Sequence, residues 1–333
     1  MAWIESHWER VTPVSALLSP LSLLYGAVAG VRRATTTPAR LPVPVIVVGN
    51  LTVGGTGKTP LTLWLAECLK ARGYMPGIVS RGYGGRSRAP RRVLPESDPL
   101  VCGDEAVLLA RRSGCEVWVG ADRVAVGEAL LASQPACNVM LSDDGLQHYR
   151  LARDIEICVV DAERGFGNGW LLPAGPLREP PSRLAAVDAV VANGDGSAPH
   201  PSIARLPGNA ARYSMRLEGR EFRNLLNPGQ TAGAESFRGK RVQAVAGIGN
   251  PQRFFGHLHK MGLEFTAHPF PDHHPFTAAD IAFAGAEAVL MTEKDAVKCQ
   301  PYADERQWAL RVDAQVDPEL GEFVLRKLGA SRK

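Results

Sequence analysis

The segment Val43 to Thr59, VPVIVVGNLTVGGTGKT, constrains this chain more than any other stretch. An apolar, β-branched run gives way to glycines and then to Gly57-Lys58-Thr59. That order describes a buried strand that breaks into a loop and opens a helix, which is the layout of a nucleotide phosphate-binding loop. Glycines let successive backbone N–H groups turn onto phosphate oxygens with no Cβ in the way. Thr52, Gly54, Gly55, Thr56, Gly57, Lys58 and Thr59 are therefore the expected nucleotide-binding residues. Lys58 would stand beside the β and γ phosphates as a point charge, and the Thr59 hydroxyl would ligate Mg²⁺. The helix that follows, Leu61 to Ala71, would point its positive end at the anion. Thr52 stands where the strict pattern wants its first glycine, and Gly54 and Gly55 supply the flexibility instead. The expected ligand is a nucleoside triphosphate.

A chain of 333 residues can bury a substantial core and is expected to hold two domains. Its net charge of +4 is mild. It gives no reason to expect a nucleic-acid partner, yet it tolerates an anionic substrate or surface. The six cysteines are scattered without a CxxC pair and read as reduced core thiols of an intracellular protein. From Val11 to Val31 there is no charged residue; Trp3 and Trp8 precede this stretch, and Arg32, Arg33 and Arg40 follow it. Pro13, Pro20, three serines and two glycines weaken a simple spanning helix. The expectation is a helical hairpin or amphipathic segment in the membrane interface, with tryptophan anchors and arginines facing anionic headgroups. A helix packed on the protein's own core is the alternative.

After the loop, strands and helices alternate. Strands are expected at 77–80, 116–119, 138–141, 155–160 and 189–192, with helices at 105–112 and 123–133. Continuous apolar strands between helices imply a parallel sheet covered on both faces. The fold class is α/β: a phosphate-loop NTPase-like, mostly parallel sheet, followed by a second, smaller α/β domain. Residues 212–224 alternate around Glu218-Gly219 as a hairpin would. The expected division is an N-terminal segment 1–40, a nucleotide-binding domain 41–208, a β-hairpin linker 209–234 and a C-terminal domain 235–333.

Several constellations could carry chemistry. Arg81 and four further arginines lie on the glycine-rich loop after the second strand, placed to clamp phosphates. Gly103-Asp104-Glu105 opens a helix; the acidic pair could cap it, accept a proton from an attacking hydroxyl, or help hold Mg²⁺. Asp143 and Asp144 end an apolar strand, the usual second half of a phosphate-loop site, where one carboxylate meets the metal. The long loop Gly165 to Glu179 carries Arg178 beside Phe166, Trp170, Leu171 and Leu172, which would suit an amphiphilic ligand. Asp272-His273-His274 invites a transition-metal reading but lacks any recognised ligand spacing; a single histidine handling protons fits better. Lys294, in Thr292-Glu293-Lys294-Asp295, could reach an anion, and this is not the N-K-x-D order that selects guanine.

Together, GNLTVGGTGKTP, SRGYGG, GDE, GADR, DDGLQH, LLPAGPLREP, DHHPF and TEKDA resemble, in order and over nearly the whole chain, the motifs of the tetraacyldisaccharide 4′-kinases, the lipid A 4′-kinases. The resemblance implies transfer of the ATP γ-phosphoryl group to the 4′-hydroxyl of a lipid A precursor disaccharide. It also implies Mg²⁺, a membrane-associated N-terminal helix and two α/β/α domains joined by a two-stranded linker. Carried onto this chain, Asp104 would be the general base paired with His273. Thr59, Glu105, Asp143 and Asp144 would serve the metal. Arg81, Arg123, Gln147, His148 and Arg178 would face substrate or phosphate. With Asp104 and His273 on separate domains, closure is expected to be a condition for turnover. The expected protein is a monomer at the cytoplasmic face of the inner membrane. A phosphate-loop GTPase or metallochaperone, and a membrane-bound nucleotide sensor without chemistry, are the competing readings.

Overall fold

The computed structural model describes residues 2–195, 200–204 and 208–331, the side chains of Ala2, Trp3, Ala204 and Ser331 excepted. The chain divides into two compact units: Met1–Arg81 with Asp122–Leu217 and Ala314–Lys333, and Gly82–Ala121 with Glu218–Asp313. The units are not the contiguous blocks expected from sequence. Residues 82–121 belong with the second unit because the helix Asp104–Ser113 packs on the helix Glu293–Cys299. Arg112 cements that contact, donating at 2.7 and 2.6 Å to the Glu293 carboxylate and pairing with Asp313. The C-terminal helix Glu319–Ser331 returns to the first unit, where Glu322 pairs with Arg72 and Lys327 with Asp188.

The first unit is built on a parallel sheet. Its central strand Val45–Gly49 lies between Val139–Asp143 and Ile155–Asp161; Pro76–Ser80 and Ala189–Asn193 extend it on either side. Four of these strands are buried at every residue, as a sheet covered on both faces requires. The register sets Val48 opposite Asp143, so the carboxyl ends of two neighbouring strands meet where the glycine loop begins. Loops at such strand ends are where open α/β sheets bind ligands. The helix after the loop spans Lys58–Ala71 and packs Leu61, Leu65 and Leu69, at helical spacing, into the core.

In the second unit the strands Thr266–Pro269, Val242–Ala246, Ala288–Thr292 and Gln307–Val316 run parallel in that order. Its core is aromatic: Phe222, Phe237 and Trp308 meet edge-on at 4.9 and 5.4 Å. The hairpin expected to turn at Glu218-Gly219 turns elsewhere. Residues Ala211–Asn224 form one uninterrupted strand, and the antiparallel partner is the short Thr231–Ala232, with Phe222 opposite Ala232. Gly219 is small because a Cβ there would come within 2.9 Å of the Leu310 side chain. The reversal falls at Asn227-Pro228-Gly229, where the Asn224 side chain accepts from Asn227 N–H and Asn224 N–H donates to Gln230 C=O at 3.0 Å, closing the turn.

The uncharged stretch of the N-terminal segment forms one continuous helix, Pro13–Thr35, and not a hairpin. Thr12 and Ser15 form a reciprocal capping box, and Pro13 occupies a first-turn position that needs no donor. Its small polar side faces the protein. Ser22 Oγ donates to Leu171 C=O at 2.8 Å and accepts from Ala174 N–H at 3.0 Å. Gly26 gives Leu171 room to approach, and Trp8 Nε1 donates to Pro173 C=O. The opposite side exposes Leu17, Leu21, Leu24, Val28 and Val31, an apolar stripe at helical spacing. The helix is long and apolar enough to bind a membrane.

Candidate active site

In the first unit the glycine loop is fixed largely through its own main chain. Val53 N–H donates to Pro176 C=O at 2.8 Å and Arg178 N–H to Leu51 C=O at 2.6 Å. Thr52 lies between these bonds in an extended bridge to Leu177. An extended, paired residue needs no glycine, which explains the departure from the strict motif. Gly57 then adopts φ 95° and starts the helix, with Lys58 its first residue. Two side chains absent from the sequence reading of this loop hold it from outside. Buried Asn193, at the end of its strand, donates to Thr56 C=O at 2.9 Å. Arg164, oriented by Asp161, donates to Gly55 C=O at 3.0 Å. Neither carries a motif signature, and only the parallel order of the strands brings Asn193 near the loop.

Asp143 is fully buried and accepts from Thr62 Oγ1 at 2.9 Å and from Thr59 Oγ1 at 3.4 Å. Asp144, at φ 47°, turns the other way. Its carboxylate faces Lys58 Nζ at 3.7 Å and receives Arg178 Nη1 at 3.1 Å on both oxygens. Burial works to raise its pKa; Lys58, Arg178 and Arg123 outweigh it and hold the group below the ordinary aspartate value. Arg178 Nη1 also donates to Gln147 Oε1, whose amide in turn donates to Asn50 C=O and to Glu179. Arg123 is almost wholly buried, and desolvation drops its pKa to about 10. His148 accepts the Arg123 backbone N–H at its Nε2, and burial, with the Arg123 charge beside it, depresses its pKa to about 4. It is a neutral hydrogen-bond partner and supplies no charge. Arg81 is exposed at the end of its strand.

A magnesium ion needs one or two carboxylates, nucleotide oxygens and its own waters. A threonine hydroxyl and a buried aspartate meeting at the start of a phosphate-loop helix fit that demand. Among the described residues no group of three or more His, Cys, Asp or Glu side chains is arranged for a metal. His257, His259 and His268 are engaged with Gly219 C=O, Phe265 and Gln243.

The second unit holds the other candidates. Gly103, at φ 88°, precedes the helix Asp104–Ser113; a Cβ there would lie 2.6 Å from Tyr83 C=O. The loop after Val242–Ala246 docks through Phe270 N–H to Ala246 C=O and His273 N–H to Gly247 C=O. It presents His273 at φ 58°. His273 Nδ1 lies 3.0 Å from Asp104 Oδ2. The pair therefore forms within one unit, and closure of two domains is not what joins it. Burial would raise the Asp104 carboxyl; the His273 hydrogen bond and the charges of Lys294 and Lys298 outweigh it, so its pKa is lowered. The same hydrogen bond raises His273. Glu105 accepts from Lys294 Nζ at 3.1 Å. Buried Lys298, which no sequence motif marks, stands 3.7 Å from Asp104 and 3.0 Å from Asp295. Among the described residues, Asp144 and His273 are the two non-glycine positions with left-handed backbone, one in each unit. Such conformations are uncommon and gather at functional sites.

A family model described as LpxK, Tetraacyldisaccharide-1-P 4'-kinase, matches residues 14–329. A tetraacyldisaccharide 4'-kinase of Aromatoleum aromaticum is 52% identical over 332 residues, covering 98% of this chain and 97% of its own. The same enzyme of Azoarcus sp. is 51% identical over 332 residues, with 98% and 96% covered. A crystal structure of the "apo" form of LpxK from Aquifex aeolicus in complex with ATP matches with a TM-score of 0.79 at 29% identity, over 95% of this chain and 99% of that one. These matches favour a kinase over the GTPase or metallochaperone alternative. Matched to that family over residues 14–329 and to its members over nearly its whole length, the chain belongs to the tetraacyldisaccharide 4′-kinases, the ATP-dependent kinases of lipid A biosynthesis.

Proposed function

We propose that this chain transfers the γ-phosphoryl group of ATP to the 4′-hydroxyl of a tetraacyldisaccharide 1-phosphate, with Asp104 as general base. The observation that carries this assignment is a buried carboxylate, ionised at neutral pH, held by His273 at 3.0 Å. As the sugar oxygen bonds to the γ-phosphorus, its proton passes to Asp104 and the bond to the bridging oxygen of ADP breaks. Such transfer needs positioning and charge neutralisation more than covalent help. The loop amides and Lys58 grip the phosphates. Thr59 and Asp143 would hold Mg²⁺, which would supply charge neutralisation to the phosphates. Arg178 and Arg123 face the transferred or substrate phosphate, with Arg81 and Gln147 beside them in that role. His148 orients Arg123 through its backbone N–H.

The exposed stripe of the helix Pro13–Thr35 supports a membrane role for it. A four-chain lipid does not leave a bilayer cheaply, since each buried CH₂ is worth about 0.8 kcal/mol. The enzyme meets it there, as a monomer, at the cytoplasmic face where ATP is available. The deciding experiment incubates the full chain with γ-labelled ATP and a disaccharide 1-phosphate lipid. Label on the 4′-oxygen supports the reading; release of label as free phosphate alone would overturn it.

A further inference from the structure

The segment Thr292–Ala296 contains a lysine that phosphate binding does not explain. Lys294 Nζ lies 3.1 Å from Glu105 Oε1, 3.3 Å from Asp272 Oδ1 and 3.3 Å from His273 Nε2. An ammonium has three donors and no lone pair. Its approach to a ring nitrogen at that distance is favourable only when the nitrogen carries the lone pair. In the neutral imidazole the proton then sits on Nδ1, the atom 3.0 Å from Asp104 Oδ2. One placement of protons satisfies both contacts. The reverse tautomer would set an N–H against an ammonium and a lone pair against a carboxylate. Protonated His273 would likewise oppose two cations, so Asp104 draws the ring toward imidazolium and Lys294 resists.

The other groups around the ring do not change this choice. Asp272 Oδ2 is 3.8 Å from Nε2, beyond hydrogen-bond reach, while its Oδ1 accepts from Lys294. Lys298 Nζ lies nearer to Asp295 than to Asp104. The Tyr83 ring packs 4.9 Å away, centroid to centroid. All of these residues belong to the second unit.

We propose that Lys294 is a positioning residue for the reaction: by donating to Nε2 it fixes neutral His273 as the Nδ1–H tautomer, which donates to Asp104 and leaves that carboxylate as the destination of the substrate proton. Because Nδ1 is already protonated, the proton leaving the sugar oxygen forms its new O–H bond on Asp104 and is not relayed to the ring. The consequence for turnover rests on Asp104 being the base; the proton placement does not.

The test uses full-length protein with ¹⁵N-labelled histidine, His273 assigned by its loss in His273→Gln. On the alkaline side of the ring's titration, the wild-type spectrum should show Nδ1 protonated and Nε2 bare. Lys294→Met should shift His273 toward the other tautomer and extend imidazolium to higher pH. It should also lower kcat by on the order of tenfold, less than the ~10²–10⁴ of a whole general-base step, with KM for ATP held. Lys294→Arg, which keeps a cationic donor, should restore much of both. An Nε2–H tautomer in the wild type, or Lys294→Met with unchanged tautomer and kcat, would overturn the proposal. Should Lys294→Met not fold, the wild-type spectrum still decides the proton placement. Activity retained in Asp104→Asn would instead remove the base assignment and leave the tautomer result standing.

Discussion

The glycine loop of the first unit, proposed to grip phosphates, and the Asp104–His273 pair of the second, proposed to handle the proton, are built in opposite ways. The first is written in one stretch, Thr52 to Thr59, and its strength lies in main-chain amides and a helix start. Side chains such as Asn193 and Arg164 hold the loop by its carbonyls. The second joins Asp104 and His273 across 169 positions of sequence, and the charges set around it belong to side chains: Lys294, Lys298 and Asp272. A phosphate tail presents many equivalent oxygens, which repeated amides suit. A single proton needs one acceptor with its lone pairs and charge set, which local charges suit. The two histidines sharpen the contrast. His148 is desolvated and kept neutral beside Arg123, whereas His273 is drawn upward by its carboxylate.

The largest expected effect follows from removing the proposed proton acceptor. Asp104→Asn keeps the shape and should cut kcat by about 10²–10⁴, with ATP affinity as in the wild type. If both fall together, the division of labour between the two regions is wrong. Lys58→Met should act on the other side. It should lower kcat/KM by about 10²–10³, as loss of one charge-stabilising group does, and weaken ATP binding. The His273 ring resonances should stay in place. Asn193→Ala leaves Thr56 C=O without its donor, at a cost of about 1–3 kcal/mol. KM for ATP should rise severalfold while kcat holds, which steady-state kinetics would show. The smallest effect is on stability. His148 has a folded-state pKa near 4 against 6.5 for an ordinary histidine. Between those values the unfolded chain binds more protons, so stability should fall as pH drops from 6.5 toward 4. His148→Gln should flatten that slope in denaturant titrations; an unchanged slope would assign it to other groups.

This contrast also explains what could be seen in the sequence. The parallel strands of the first unit and the phosphate loop were legible because each depends on neighbours in the chain: a β-branched run, a glycine cluster, an aspartate pair after a strand. The contact of Asp104 with His273 was suggested only by a resemblance that spans the chain, since no local spacing joins residues so far apart. The assignment of residues 82–121 to the second unit was hidden for the same reason, resting on Arg112 and its distant carboxylates. The turn misplaced at Glu218-Gly219 shows a glycine serving close packing against Leu310 while mimicking a reversal. Asn193 left no trace, because an asparagine at a strand end is ordinary until the strand order places it on the loop.

The most direct test of the division is to measure ATP binding and single-turnover phosphoryl transfer side by side in wild type, Asp104→Asn and Lys58→Met. The expected result is an Asp104→Asn protein that binds ATP as wild type does and transfers almost nothing, beside a Lys58→Met protein that has lost both. Turnover near the wild-type rate in Asp104→Asn, or wild-type ATP binding in Lys58→Met, would contradict it.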